Sequence, residues 1–393
     1  MINLEKKPFY LDREAVEWVK TILENLTIEE KVGQLFCVCC RAGTKEEVDW
    51  IYSILKPGTL LLRQMPIKEG VAYNHLINER AEVPLLIAAN LECGGDGVAT
   101  EGTCYGSPMA VAASGSLENA ETLGKISGLE GQEMGVNWAL APLVDIDYNW
   151  RNPIMNIRTF GSDPECVRKM GAAYVKEIQK LGLAACPKHF PGDGRDERDQ
   201  HLLTSINDFS CEEWDATYGR NYKACIESGT LTVMVGHIML PSYERYYNPD
   251  IKDEDLLPAS LSPVLMKRLL REKLGFNGLI ATDATTMAGF NIPMSREKAV
   301  PMTIANGADI LLMSRNLEED FRIMLNGVKA GIITAERLDE AVTRILGVKA
   351  ALKLHKGKRK ITLKNAEKIV GCSSHRDAAR RLADSAITIV KRE

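Results

Sequence analysis

The sequence lacks several features that would place it in an easily recognised class. No stretch approaches the ~20 consecutive apolar residues that a transmembrane helix needs, so no membrane partner is predicted. Basic residues are not in excess, because 49 Lys and Arg face 53 Asp and Glu, which gives a net charge of −4. No basic stripe alternates with aromatic residues either, so no nucleic-acid partner is predicted. The one basic run, 353–360, is interpreted as a solvated linker.

Cysteine is present, but not with the spacing that disulfide frameworks or zinc ribbons need. The sequence has ten cysteines. Only Cys37, Cys39 and Cys40 cluster, inside an apolar run where a free thiol behaves as a small hydrophobic group. The N-terminus has no apolar signal core. These features predict a cytoplasmic location, and nothing in the sequence specifies an oligomeric state.

Short apolar runs alternate with longer amphipathic stretches along most of the chain. Two helix starts carry a capping box, Thr27 with Glu30 and Ser210 with Glu213. Strands that alternate with helices pair in parallel through crossover connections. Eight such units predict an α/β fold, a (β/α)8 barrel of the TIM type, with a doubly wound open sheet as the alternative. The predicted strands are 33–40, 58–62, 84–90, 137–146, 183–189, 232–240, 278–283 and 309–313.

Polar residues lie toward the carboxyl-terminal side of most of these runs. In an α/β barrel the strand ends face one mouth, where active sites are built. Such residues follow six of the predicted strands, which favours closure and a functional site at that mouth. They are Arg63, Asn90 with Glu92, Asp145 with Asp147, Lys188 with His189, His237, and Asp283.

The pattern changes after residue 350. We assign residues 1–350 to the barrel and residues 351–393 to a C-terminal linker and helix, with the start of a strand at 386–390. Three explanations of that strand stay open. It packs on the barrel, it pairs with another subunit, or it is the stub of a missing α/β sandwich domain.

The densest polar segment is the loop 188–201, which follows an apolar run and is rich in Pro, Gly and charge. Such a cluster at the end of a buried strand costs stability, which indicates a functional loop. In that loop, Asp199 lies two residues before His201, and a carboxylate there can orient an imidazole for proton transfer near neutral pH. Asp283, at the end of its strand, is compatible with a nucleophile, a metal ligand or a helix cap.

Four stretches occur in an order that resembles the family 3 glycoside hydrolases, in particular their β-N-acetylglucosaminidase branch. They are 152–161, 188–201, 234–237 and 279–283, and the match runs from about Thr27 to Leu354. The block Lys-His-Phe-Pro-Gly at 188–192, followed by Asp-x-His at 199–201, is typical of that branch.

The resemblance implies a retaining β-glycosidase without a metal or other cofactor. Its substrate would be a small carbohydrate with terminal β-linked N-acetylglucosamine or a related β-sugar. Asp283 would form a covalent glycosyl-enzyme, while His201, held by Asp199, would act as acid and base. The sugar would be bound by Arg158, Lys188, His189, Asn90 and His237.

Three positions depart from the pattern of the branch. Asn90 stands where the branch usually has an Asp that binds sugar hydroxyls, so an altered sugar preference is expected. Asp193 stands where many relatives have His, and Ala284 follows the nucleophile position where a second Asp is common. Neither of these two changes removes a catalytic atom.

Several alternatives stay open from the sequence. Neutral imidazole does not repel an anion as a carboxylate does, so phosphate could replace water and make the enzyme a glycoside phosphorylase. His189, His237 and Asp283 could belong to a metal-dependent barrel hydrolase, and Lys188 could form a Schiff base. A catalytically impaired sugar-binding barrel is the fourth alternative. The aglycone, such as a muropeptide fragment or a chitin disaccharide, is not specified.

Overall fold

The computed structural model of the chain describes residues 2–357 and 359–390. The strands in these ranges are β1 Phe36–Cys40, β2 Thr59–Leu62, β3 Leu86–Ala89, β4 Trp138–Ala139, β5 Ser205–Ile206, β6 Thr232–Val235, β7 Ile238–Met239, β8 Leu279–Ala284 and β9 Ile310–Leu312. The α-helices there are α1 Arg13–Asn25, α2 Ile28–Gln34, α3 Lys45–Ile54, α4 Ile67–Arg80, α5 Pro108–Ala113, α6 Leu117–Glu133, α7 Pro164–Lys180, α8 Cys211–Ala216, α9 Tyr218–Glu227, α10 Pro241–Tyr247, α11 Ala288–Asn291, α12 Arg296–Asn306, α13 Leu317–Lys329, α14 Ala335–Ala351, α15 Leu363–Ile369 and α16 Ser373–Ser385. A π-helix covers Val264–Lys273, and 3₁₀ turns cover Gly95–Gly97, Asn156–Arg158, Asp253–Asp255 and Leu354–Lys356.

Seven strands form one parallel sheet in the order β4-β3-β2-β1-β9-β8-β6. All residues of β2, β3, β6 and β9 are buried, as expected for parallel strands covered on both faces. Helices on the outside connect the strands, so the predicted α/β barrel is confirmed.

The predicted fifth strand, 183–189, is wrong as a regular strand, although its backbone closes the gap between β4 and β6. On one side the Ala139 amide donates to the Ala184 carbonyl at 2.8 Å, and on the other the Phe190 amide donates to the Met234 carbonyl at 2.8 Å. Pro187 has no amide hydrogen, so a continuous ladder cannot form through this segment. The result is a closed barrel and not the alternative open sheet.

Both predicted capping boxes are confirmed. The Glu30 amide donates to Thr27 Oγ1 at 3.2 Å, and the Thr27 amide donates to Glu30 Oε2 at 2.9 Å. The equivalent pair at the start of α8 is Ser210 and Glu213, with distances of 2.9 and 3.2 Å. Each box satisfies two backbone donors that have no partner inside the first helical turn.

The predicted strand 232–240 is divided at Gly236, where the chain passes very close to the 188–201 loop. A Cβ at Gly236 would lie 3.1 Å from His189 Cβ and 3.2 Å from Gln200 Oε1. Beyond this point β7 pairs in parallel with β5, with Ser205 opposite Ile238. The loop that carries His201 is therefore fixed at both ends against the strand segment that carries His237.

The C-terminal segment packs on the barrel. The predicted boundary at residue 350 lies in the last turn of α14, and the following chain reaches Glu130 of α6. His375 Nδ1 lies 2.7 Å from Glu130 Oε1, and the Gly371 amide donates to the same oxygen at 3.1 Å.

The predicted strand start at 386–390 is wrong. These residues form no strand, and Ile387, Ile389 and Val390 are exposed. Within the described residues their backbone has no neighbouring strand to pair with, so β-favouring residues alone do not produce a strand. None of the helices in the described ranges is both long and apolar enough to cross a membrane.

Candidate active site

A pocket of about 240 Å³ opens at the carboxyl ends of the strands, where the sequence predicts a site. Six of the eight predicted site residues line it: Asn90, Arg158, Lys188, His189, His201 and Asp283. Asp199 and His237 do not line the pocket, but each contacts a lining residue, His201 and Ala284 respectively. Other lining residues include Arg63, Gln200, Met287 and Met313.

Asp283, near the end of β8, has an ionised carboxylate at the floor of the pocket. The Ala284 amide donates to Asp283 Oδ1 at 2.7 Å, while His189 Nε2 lies 3.8 Å from Oδ2. Burial alone would raise the pKa of Asp283, but the His189 and His237 rings and the Lys188 ammonium hold it below its ordinary value. The side chain is 15% exposed, so the carboxylate is desolvated and still open to the pocket.

His189 connects Asp283 to a second, fully buried carboxylate that sequence reasoning did not include in the site. Asp145 accepts from the His189 backbone amide at 3.0 Å, and Asp145 Oδ2 lies 2.8 Å from His189 Nδ1. With the Asp145 oxygen as acceptor, His189 Nδ1 carries the hydrogen of this contact, and Nε2 faces Asp283. The strand-end position of Asp145 was the signal that could have placed it here.

Glu92 is another residue that the predicted site omitted. It accepts from Arg158 through two parallel hydrogen bonds of 2.8 and 2.9 Å, and from Lys188 Nζ at 2.6 Å. Burial opposes its ionisation, but the charges of Lys188 and Arg158 hold the pKa of Glu92 well below its ordinary value. The carboxylate therefore fixes two cations at the pocket wall, in a geometry that suits donation to an oxygen-rich ligand.

The predicted pair of Asp199 and His201 is formed. Asp199 Oδ1 lies 2.7 Å from His201 Nδ1 and accepts from the His201 backbone amide at 2.8 Å. The His201 ring is 52% exposed, so its other nitrogen is accessible from the pocket. A contact from another part of the chain also fixes this loop, because the Ala288 amide at the start of α11 donates to the His201 carbonyl at 2.9 Å.

His237 is fully buried, and both of its ring nitrogens already have protein partners. Nε2 lies 3.0 Å from the Ala284 carbonyl, which can only accept, so Nε2 carries a hydrogen. Nδ1 lies 2.8 Å from Ser260 Oγ. Burial lowers the pKa of His237 and so disfavours the charged ring, while the nearby Asp283 opposes this effect. Its predicted contact with substrate stays a prediction.

Asn90 is exposed and lines the pocket just after β3. Its position at the strand end agrees with the prediction, and its role in sugar preference stays a prediction. In the described part of the chain, no group of three or more His, Cys, Asp or Glu side chains is arranged to hold a metal ion.

Comparisons with known proteins extend over the whole barrel. Residues 27–348 match the glycosyl hydrolase family 3 N terminal domain. A beta-N-acetylglucosaminidase/beta-glucosidase of Cellulomonas fimi is 48% identical over 393 residues, which are 100% of this chain and 70% of that protein.

Two solved structures have the same fold. The beta-glucoside phosphorylase BglX bound to 2FGlc has a TM-score of 0.96 and 43% identity, over 99% of this chain and 70% of that one. A family 3 beta-N-acetylglucosaminidase from Paenibacillus sp. str. FPU-7 has a TM-score of 0.84 and 26% identity, over 94% and 70% of the two chains. The family assignment made from the motifs is therefore confirmed: the chain belongs to glycosyl hydrolase family 3 and is a glycoside hydrolase.

Proposed function

We propose that this enzyme is a retaining β-glycosidase that removes terminal β-linked N-acetylglucosamine, or a related β-sugar, from small carbohydrates. The observation that carries this proposal is that one pocket contains the carboxylate of Asp283, whose pKa is held below its ordinary value, and the half-exposed imidazole of His201. These are the two groups that a double displacement at an anomeric carbon needs. The names of the relatives from Cellulomonas fimi and Paenibacillus support the choice of sugar.

In the first step, Asp283 attacks the anomeric carbon and the glycosidic bond breaks. His201, in its protonated form, gives its proton to the departing oxygen. In the second step, neutral His201 takes a proton from water, the water oxygen bonds to the anomeric carbon, and Asp283 leaves. Two displacements on one carbon retain its configuration.

Asp199 orients the His201 ring in this mechanism. Its carboxylate holds Nδ1 and the backbone amide of His201 through one oxygen, which leaves Nε2 for proton transfer. The same carboxylate stabilises the imidazolium before the first step and after the second.

The other pocket residues bind the sugar before the scissile bond. Arg158 and Lys188, fixed by Glu92, donate to hydroxyls and to the acetamido oxygen. His189, whose Nε2 lies 3.8 Å from Asp283 Oδ2, and Asn90 also line the pocket and would contact the same sugar. We assign these roles to the barrel, residues 1–350. A muropeptide fragment as substrate and a cytoplasmic location stay predictions.

Phosphorolysis is a second candidate, favoured by the 43% identity to the beta-glucoside phosphorylase BglX. The charges support it, since the cations Arg63, Arg158 and Lys188 line the pocket. Phosphate would take the place of water in the second step, its oxygen bonding to the anomeric carbon, and the product would be a sugar 1-phosphate.

The test measures nitrophenol release from aryl β-N-acetylglucosaminide and aryl β-glucoside, each with and without phosphate. Asp283→Ala removes the proposed nucleophile. Asp377→Ala is the matched control, because Asp377 is a half-exposed residue of α16. We expect turnover of the acetamido substrate by the native chain and the control, and none by Asp283→Ala.

Each further result has a definite meaning. Turnover that requires phosphate and yields a sugar 1-phosphate would establish the second candidate in place of hydrolysis. Faster turnover of the glucoside than of the acetamido substrate would overturn the proposed sugar. Retained activity in Asp283→Ala, with the purified variant folded, would refute the proposed nucleophile.

A further inference from the structure

Gln200 lies between the two residues of the proposed acid/base pair and points in the opposite direction. Asp199 and His201 have side chains that are 19% and 52% exposed, whereas Gln200 is 1% exposed. Gln200 Oε1 accepts from the His237 backbone amide at 2.9 Å, and Nε2 donates to Asp193 Oδ2 at 3.1 Å. The residue next to His201 is therefore fixed through both ends of its amide, to the His237 backbone between β6 and β7 and to Asp193 earlier in its own loop.

We propose that Asp193 and Gln200 form a positioning pair, which holds the loop of His201 in register with Asp283. This inference rests on the proposed function. The role of this pair requires no contact with substrate. Both ends of the Gln200 amide and both oxygens of Asp193 are already bonded to protein atoms.

In all three of its side-chain hydrogen bonds, Asp193 is the acceptor. Besides Gln200, the Gly194 amide donates to Oδ1 at 2.7 Å, and Asn152 Nδ2 donates to Oδ1 at 3.0 Å. Burial and the nearby Asp145 raise the pKa of Asp193 to about 7, while the hydrogen bonds from the Gly194 amide and Asn152 oppose this shift by favouring the charged form.

Neither amide partner of Asp193 can turn over to offer an oxygen instead. Asn152 Oδ1 already accepts from the Ile154 and Met155 amides, at 3.0 and 2.9 Å. Gln200 Oε1 already accepts from the His237 amide. An amide at position 193 would therefore place its NH2 group against another donor.

Asp193 also reaches the nucleophile side of the pocket. Its backbone amide donates to Asp145 Oδ1 at 2.7 Å, and Asp145 holds the His189 ring that faces Asp283. The pair of Asp193 and Gln200 thus connects the loop of His201 to the side of the site that contains Asp283, through hydrogen bonds.

The test exchanges the acceptor side chain of Asp193 and the donor side chain of Gln200. Asp193→Asn creates the conflict of two donors, and Gln200→Glu places a second carboxylate against Asp193. In the double variant Asp193→Asn with Gln200→Glu, the new amide donates to one oxygen of residue 200 and the other oxygen accepts from the His237 amide. The double variant therefore restores each hydrogen bond and keeps the net charge.

Rates are measured on a substrate with a poor leaving group and on one with an activated dinitrophenyl group. Loss of His201 alignment affects mainly the substrate that needs protonation. We expect each single variant to lose about tenfold or more in kcat on the poor leaving group. On the activated substrate we expect a loss of less than about threefold. The double variant should recover most of the loss on the poor leaving group.

Asp208→Asn is the matched control, because Asp208 pairs with Arg195 of the same loop at the protein surface. A second readout does not depend on activity. The Leu202 and Leu203 amides both donate to the Asp199 carbonyl, so their hydrogen exchange reports the order of the loop. Exchange should be faster in the single variants and return to the native rate in the double variant.

Equal losses on both substrates, without recovery in the double variant, would overturn the positioning role. Unchanged hydrogen exchange in the single variants would also overturn it. No turnover by the native chain would refute the proposed function alone, because the exchange measurement still decides whether the pair orders the loop.

Discussion

Replacing Glu92 by Gln tests whether the pocket is organised by a buried carboxylate between two cations. Glu92 is 12% exposed, Lys188 is 3% exposed, and Arg158 is 33% exposed. Removing one partner of a buried ion pair costs about 3–5 kcal/mol. The partial exposure of Arg158 and the acceptor that Gln retains reduce this, so we expect a loss of about 2–3 kcal/mol in the free energy of unfolding.

The effect should depend on pH in a defined direction. The folded-state pKa of Glu92 lies well below its ordinary value of 4.5, because Lys188 and Arg158 outweigh the effect of burial. A carboxylate with a lowered pKa stabilises the fold fully above its unfolded pKa, and this contribution is lost as the pH falls. The native chain should therefore lose stability more steeply than the Gln variant below about pH 5.

The assay is urea unfolding at pH 7 and at several lower values, together with kcat/KM. Glu272→Gln is the control, because Glu272 also accepts from an arginine but both side chains of the Arg268–Glu272 pair are more than half exposed. Such an exposed pair contributes less than about 0.5 kcal/mol. If Glu92→Gln and Glu272→Gln are equally destabilised and both keep native kcat/KM, the reasoning about the buried carboxylate is wrong.

Three other changes have outcomes that follow from single contacts. Burial lowers the pKa of Lys349 to about 7, so the unfolded chain binds more protons between pH 7 and 10 and stability rises with pH there. Lys349→Met should raise the urea midpoint at pH 7 and remove that rise. His375→Ala removes the imidazole contact to Glu130, and should speed tryptic cleavage at the Lys and Arg residues of 353–390 with kcat unchanged. Gly192→Ala should cost more than about 2 kcal/mol in urea unfolding, because φ is +120° and a Cβ would lie 2.1 Å from a buried tyrosine ring. In the control, Gly161→Ala, φ is also positive but no atom lies within 4 Å, so equal losses would contradict the steric argument.

The barrel could be predicted from the sequence because parallel strands covered on both faces appear as short apolar runs between amphipathic helices. This reasoning fails for the run 183–189. Its apolar residues do lie in the barrel wall, but Pro187 interrupts the ladder. The proline was visible in the sequence and should have argued against a regular strand.

The site could be predicted in part, and for two different reasons. Asn90 follows β3, Asp283 lies near the end of β8, and Lys188 lies in the segment that closes the barrel between β4 and β6. Barrel topology therefore brings these three residues to one mouth. Arg158 and His201 lie on loops, and their places in the pocket followed only from the resemblance to a family. No local pattern specifies where a loop residue lies, because its position depends on distant hydrogen bonds.

The roles of the strand-end carboxylates could not be deduced from their positions. Glu92, Asp145 and Asp283 all lie near strand ends, yet only Asp283 lines the pocket, while the others hold cationic or imidazole groups. The difference depends on side-chain direction and on partners 44 to 96 residues away in the chain. The order of charged residues along the sequence gives neither the direction of a side chain nor its distant partners.

The inward direction of Gln200 depends on a turn that the sequence reasoning did not predict. The Leu202 and Leu203 amides both donate to the Asp199 carbonyl, so residues 199–203 form a tight turn and not an extended segment. Among Asp199, Gln200 and His201, only the middle side chain is fully buried. A long amide in that position needs both a donor and an acceptor inside the barrel, and Asp193 and the His237 amide supply them. The residue between Asp and His in this motif is therefore held by hydrogen bonds on both sides, like the proposed acid/base pair that flanks it.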